Sequence, residues 1–200
     1  MDYFKSDLST YIKENEAMML EQIHREHGYM VRLLVILKSK WDNIKAEKPI
    51  NYSLIKEIVD YLSCHSETVH HPKEDILYRY FIEHYPDNTK VKNLEEEHVK
   101  LSEKTKDFLM TVEMILQDAV VPLDVFADQL EEFIYIQKRH LDLEEREILP
   151  LIKRSFTTED WQFVEGLWEQ NDDDPVFGDT IADKYKQLAD RVRQTETETF

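Results

Sequence analysis

Apolar residues recur at alternating intervals of three and four through most of the chain, the spacing of helices that meet along narrow seams at small crossing angles. The first seam is Leu20, Ile23, His27, Met30, Leu34, Leu37, Trp41 and Ile44, in a helix predicted from about Asn15 to Lys45. Glu47-Lys48-Pro49-Ile50-Asn51 ends it. The second is Val59, Leu62, Ser66, His70, Glu74, Leu77 and Phe81, predicted from Ser53, a candidate N-cap, to about Tyr85. Val91, Leu94, His98, Leu101, Thr105, Phe108, Val112 and Ile115 mark a third helix from roughly Thr89 to Asp118. A fourth starts near Pro122, a favoured first-turn residue, and runs to about Arg154. Its seam is Phe126, Leu130, Phe133, Gln137, His140, Glu144, Ile148 and Leu151. Thr157-Thr158-Glu159-Asp160 opens a shorter helix ending near Asn171, and a last amphipathic stretch covers Phe177 to about Arg193.

Four long helices with short connections predict an all-α protein: an antiparallel up-down four-helix bundle with one or two extra C-terminal helices. No repeat or linker divides the chain, so residues 1–200 read as one domain, a bundle over about 15–155 and an extension over about 156–200. Composition agrees, with three glycines and 34% charged residues, where a β-sandwich needs frequent Gly/Pro turns. The formal net charge of −17 speaks against nucleic acid and anionic membranes as partners. Cys64 is the single cysteine, so neither an internal disulfide nor a thiolate metal cage can form, and it is expected to be a half-buried thiol. The N-terminal stretch has no apolar run behind a basic end and no segment reads as a membrane span, so a soluble cytoplasmic protein is expected.

Each seam carries one histidine in its middle portion, at compatible heights for helices of alternating direction. On the second and fourth, a glutamate follows four residues later. Positions i and i+4 share a helical face about 5–6 Å apart, so His70 with Glu74, and His140 with Glu144, point inward together. Two neighbouring buried carboxylates are costly unless cations lie between them. Four imidazoles and two carboxylates form a nitrogen and oxygen set without sulfur, suited to iron, manganese or zinc. Six donors are too many for one tetrahedral zinc. They suit two ions, each with two histidines, with Glu74 and Glu144 bridging and open positions left for a small molecule. Pro72 lies between His70 and Glu74 and predicts a kink in the second helix at that level.

The segments REHGYMVRLL around His27, HHPKED, EEEHVKL around His98 and HLDLEEREILP around His140 resemble the hemerythrin-like (HHE cation-binding) family. The resemblance covers roughly residues 18 to 155, and the tail is similar to that of bacterial stand-alone members. It implies a di-iron centre held by His27, His70, Glu74, His98, His140 and Glu144, the two iron ions joined by oxide or hydroxide. It further implies a small diatomic or peroxide ligand, namely dioxygen, nitric oxide or peroxide. Oxygen-carrying members have a fifth histidine where this chain has Leu94, and the ligand count is similar to di-iron proteins that repair iron–sulfur clusters. Those carry an N-terminal cysteine, whereas the first twenty residues here have none. Binding under redox or nitrosative stress, enzymatic decomposition of peroxide or nitric oxide, and iron or oxygen sensing are the readings that follow.

Other residues enter as expectations. His24 is a candidate fifth histidine ligand, but the expectation is that it supports the site from behind or lies at the surface, and that His71, turned about 100° from His70, does the same. Glu145 and Asp75 read as surface acids. Tyr29, Tyr61 and Tyr78 are candidates to line the site, and His65 and His84 have no supporting pattern. Trp161 and Trp168 are expected to dock the fifth helix, and Asp172 to Asp174 to form a solvated break in preference to a weak calcium site.

Overall fold

The computed structural model describes residues 3–87, 89–167, 174–178 and 181–198, with the backbone alone for 3–18, 89 and 195–198. Helices and the turns between them make up the described residues, without a strand. Helix α1 spans Tyr3–Lys45, starting earlier than the apolar stripe announces because its first residues include neither Pro nor Gly to stop it. It ends on Glu47 in a left-handed conformation (φ 55°), with the Lys48 amide bonded to Asn43 O at 2.8 Å. Asp118 (φ 65°) closes α4 (Leu94–Leu116) the same way, the Ala119 amide reaching Met114 O at 2.9 Å. These are Schellman-type ends built without glycine.

Helix α2 (Tyr52–His65) is capped by Asn51, whose side chain accepts from the Leu54 amide, and not by Ser53. It passes through a π turn, Ser66–His70, into α3 (His71–His84), so one rod carries the second seam. The expected kink at Pro72 takes this form. Proline lacks an amide hydrogen and crowds the preceding carbonyls, and a turn closed from the His71 amide to Ser66 O widens the helix ahead of it. A second rod repeats the device. Helix α5 (Leu123–Leu143) follows Pro122, which is the N-cap and not the first helical residue. It then enters the π turn Glu144–Ile148 and continues as α6 (Leu149–Ser155), with Pro150 two residues past the turn. Thr89–Val91 forms a short 3₁₀ turn before α4.

Helix α1 packs on α5, α2 on α4, α4 on α5, and α3 on α4. The buried apolar residues form two clusters. One gathers Met30, Leu37, Leu62, Phe108, Phe126 and Phe133 with their neighbours. The other gathers Ile23, Leu77, Phe81, Leu94, Ile148 and Ile152 with theirs. Along every long helix the seam crosses from one cluster to the other at its histidine: Ile23 to Met30, Leu62 to Leu77, Leu94 to Phe108, Phe133 to Ile148. A polar layer lies at that junction.

The C-terminal elements divide between the clusters. Helix α7 (Thr158–Leu167) adds Trp161 and Val164 to the second. Helix α8 (Lys186–Glu198), preceded by a 3₁₀ turn, Asp183–Tyr185, adds Leu188, Ala189 and Val192 to the first. This last helix begins later than the predicted Phe177, because Asp174 instead folds residues 174–178 into a turn by accepting from the Val176 and Phe177 amides. Asp174 is buried and also accepts from Tyr61 Oη at 2.6 Å, so it is no solvated break. Trp168, Asp172 and Asp173 lie outside the described residues. No described helix is long and apolar enough to cross a membrane.

Candidate metal centre

All six sequence-predicted ligands are buried and converge in the polar layer. The Nε2 atoms of His27 and His70 are 2.9 Å apart. Those of His98 and His140 both lie 3.3 Å from Glu144 Oε1. Glu74 Oε1 is 3.1 Å from His27 Nε2, and its Oε2 is 3.3 Å from His70 Nε2 and 3.7 Å from His98 Nε2. Glu144 Oε2 is 3.5 Å from His27 Nε2. Each carboxylate therefore reaches both histidine pairs. Tyr78 Oη donates to Glu144 Oε1 at 2.8 Å, so of the three candidate tyrosines this one touches the cluster. Tyr29 stacks on Phe177 and Tyr61 bonds Asp174, both elsewhere.

The chain's own charges respond to this crowding. Burial disfavours charge on His27, but Glu145, Glu74 and Glu144 outweigh it and raise its pKa to about 10. The same opposition, won by carboxylates, raises His140 to about 10 and His98 to about 9. Burial pushes Glu144 up, yet His140, His98 and His27 together hold it well below the usual carboxylate range. Imidazolium protons thus stand in for cations. Protons do not satisfy every polar atom: Glu74 Oε2, Glu144 Oε2 and His140 Nε2 are buried without a hydrogen-bond partner. Orphaned atoms of this kind cost about 1–3 kcal/mol each, a cost that a coordinated cation removes. The donors His27, His70 and Glu74, and separately Glu74, His98 and Glu144, lie within 4.8 Å of one another. The residues present fit metal cations.

The outward Nδ1 atoms meet a ring of acids. Glu26 Oε2 is 2.7 Å from His70, Asp75 Oδ1 2.9 Å from His98, Glu145 Oε1 2.7 Å from His27, and Glu97 Oε2 3.8 Å from His140. Carboxylates in this position fix the ring's orientation and tautomer for a ligand. Glu26 also accepts from Lys73 Nζ at 3.1 Å. Burial raises its pKa, but His70 and Lys73 overcome that and hold it at about 2.

Residues 18–152 match the family model of the hemerythrin HHE cation binding domain. The chain belongs to the hemerythrin family. Comparison with curated proteins and with solved structures gives no match.

Within this hemerythrin-family chain several expectations need correction. Glu145 and Asp75 are not idle surface acids, since each is bonded to an inward histidine on another helix. Glu26 and Glu97, whose places in the sequence give no sign of it, face His70 and His140. His71 does not face solvent: it is buried and stacks on His98 with ring centroids 4.0 Å apart. His24, half-exposed, shares Glu145 with His27 at 2.8 Å and lies behind the cluster. His65 is buried 3.6 Å from Asp174, while His84 is exposed and stacks on Tyr80. Cys64 is exposed, not half-buried, with Lys184 Nζ 3.5 Å from its sulfur. Leu94 is buried in the apolar cluster.

Proposed function

We propose that this chain is a non-haem di-iron protein that binds or reacts with a small oxidant, dioxygen, nitric oxide or peroxide, in the cell's handling of iron, redox or nitrosative stress. His27 and His70 would hold one ion and His98 and His140 the other, with Glu74 and Glu144 placed to serve both. What two iron ions supply when bound is exchange of electrons with such an oxidant at open positions. The protein's part is to hold the donors, keep the acids ionised, exclude bulk water with apolar clusters above and below, and aim each imidazole from behind.

The observation that carries this reading is the reach of Glu74 and Glu144, each fully buried, across both histidine pairs, with an orphaned oxygen on each. The framework we infer is a four-helix bundle of alternating direction, made by α1, the α2–α3 rod, α4 and the α5–α6 rod. It is supported by the order in which successive seams cross the two clusters, second to first, then first to second, and so on.

Metal content and absorption test the reading together. Protein purified without oxygen should contain two irons per chain and develop a new near-ultraviolet band on admission of air. One zinc per chain, or a spectrum unchanged by air, would overturn it. Steady decomposition of peroxide that disappears in His70→Ala would mark the chain as an oxidoreductase, and tight stoichiometric binding without turnover as a binding protein.

A further inference from the structure

His71 is the one histidine of the polar layer that the six-ligand reading leaves without work. It is 7% exposed. Among the described residues neither of its ring nitrogens has a hydrogen-bond partner. Its ring lies parallel to that of His98 (interplanar angle 8°) and edge-on to that of His140, with centroids 5.9 Å apart. Ring nitrogens of His71, His98 and His140 all fall within 4.8 Å of one another.

The helix explains how two adjacent residues both serve the interior. Neighbours on an α-helix point about 100° apart. The α2–α3 rod packs against both α1 and α4. His70 therefore turns toward His27 of α1, and His71 toward His98 of α4. A stacking role alone would use the face of the ring and give its nitrogens no partner in the protein.

We propose that His71 is a third imidazole ligand for the ion held by His98 and His140, so that the two ions have unequal protein coordination. This rests on the two-ion reading above. The second ion's histidines then come from three helices, where the first ion's come from two.

The test is anaerobic competition for ferrous ion between the protein and a graded chelator, counting ions retained per chain. Wild type should retain two. His71→Phe keeps a flat ring for stacking but no nitrogen, and should hold one ion as wild type does and the other more than about tenfold more weakly. His71→Ala should show the same loss, and added imidazole should restore the second ion. Circular dichroism checks that each variant is folded; should His71→Phe lose helicity, His71→Asn takes its place with the same expected loss. Wild-type retention of both ions by the folded variant, or no recovery with imidazole, would overturn the ligand role and leave His71 a stacking shelf. Wild type retaining fewer than two ions would overturn the two-ion reading itself, and this inference with it.

Discussion

Glu26, Asp75, Glu97 and Glu145 each stand beside an inward-pointing residue in sequence, yet each serves an imidazole on a different helix. Glu26 of α1 meets His70, Asp75 of α3 meets His98, Glu97 of α4 faces His140, and Glu145 of the second π turn meets His27, which closes the ring. The inner ligands were legible because a charged or ring-nitrogen residue on an apolar stripe contradicts its surroundings. The outer acids were not, since a residue one step off a seam usually faces water, and only the approach of the neighbouring helix turns it into a partner. If the ring orients ligands, Glu26→Gln should weaken retention of the ion at His70 by about 10–100-fold in chelator competition, whereas unchanged retention would reduce Glu26 to a neutraliser of Lys73. Tyr78→Phe isolates the other support. It removes one donor to a buried carboxylate, and unfolding in urea should show a loss of about 1.5–3 kcal/mol, with helicity kept.

Both rods with HxxxE pairs contain a π turn, and only one was foreshadowed. In the α2–α3 rod the steps Leu62, Ser66, His70, Glu74 are three fours in succession, which carries Glu74 about 120° round a regular α-helix from Leu62. A turn closed over five residues takes in the equivalent of one extra residue, about 100°, and returns Glu74 to the seam. The α5–α6 seam keeps regular three- and four-residue steps, so nothing but Pro150 hinted at the second turn. Residues beyond it are buried on several sides, Leu149, Leu151 and Ile152 alike, so a shift in phase there leaves no polar residue misplaced. The first turn makes a sharp prediction. Deleting the exposed Thr68 should let the rod close as regular α-helix with both halves still in phase, retaining helicity and metal. Inserting an alanine after Thr68 should swing Glu74 about 100° away and abolish metal retention. Equal tolerance of both changes would show that the turn does not set the phase of the ligands.

Across the whole molecule the C-terminal extension is tied down by two acids at opposite ends of the bundle: Asp174 on Tyr61 near the first cluster, Asp160 on α3 near the second. The extension was legible as helix from its amphipathic pattern, but its attachment depends on tyrosines far away in sequence. Tyr80 Oη donates to Asp160 Oδ1 at 2.6 Å, Tyr85 Oη donates to Oδ2, and the Thr157 amide bonds Oδ2 at 2.7 Å. Burial raises the Asp160 pKa, but these three donors reverse the effect and bring it from 3.8 to about 2. A carboxylate whose folded pKa is depressed stabilises the fold fully above its unfolded pKa, and loses that contribution as pH falls through the folded value. Asp160→Asn should therefore be less stable than wild type at neutral pH, by about 1 kcal/mol or less because the carboxylate is partly exposed and screened. The gap should close as pH drops from about 4 to about 2. Every other titrating group, the buried histidines included, is common to both proteins and cancels in the difference. Urea midpoints of the pair measured across that range decide the matter: a gap that stays constant down to about pH 2 would mean that Asp160 holds α7 in place by shape and not by charge.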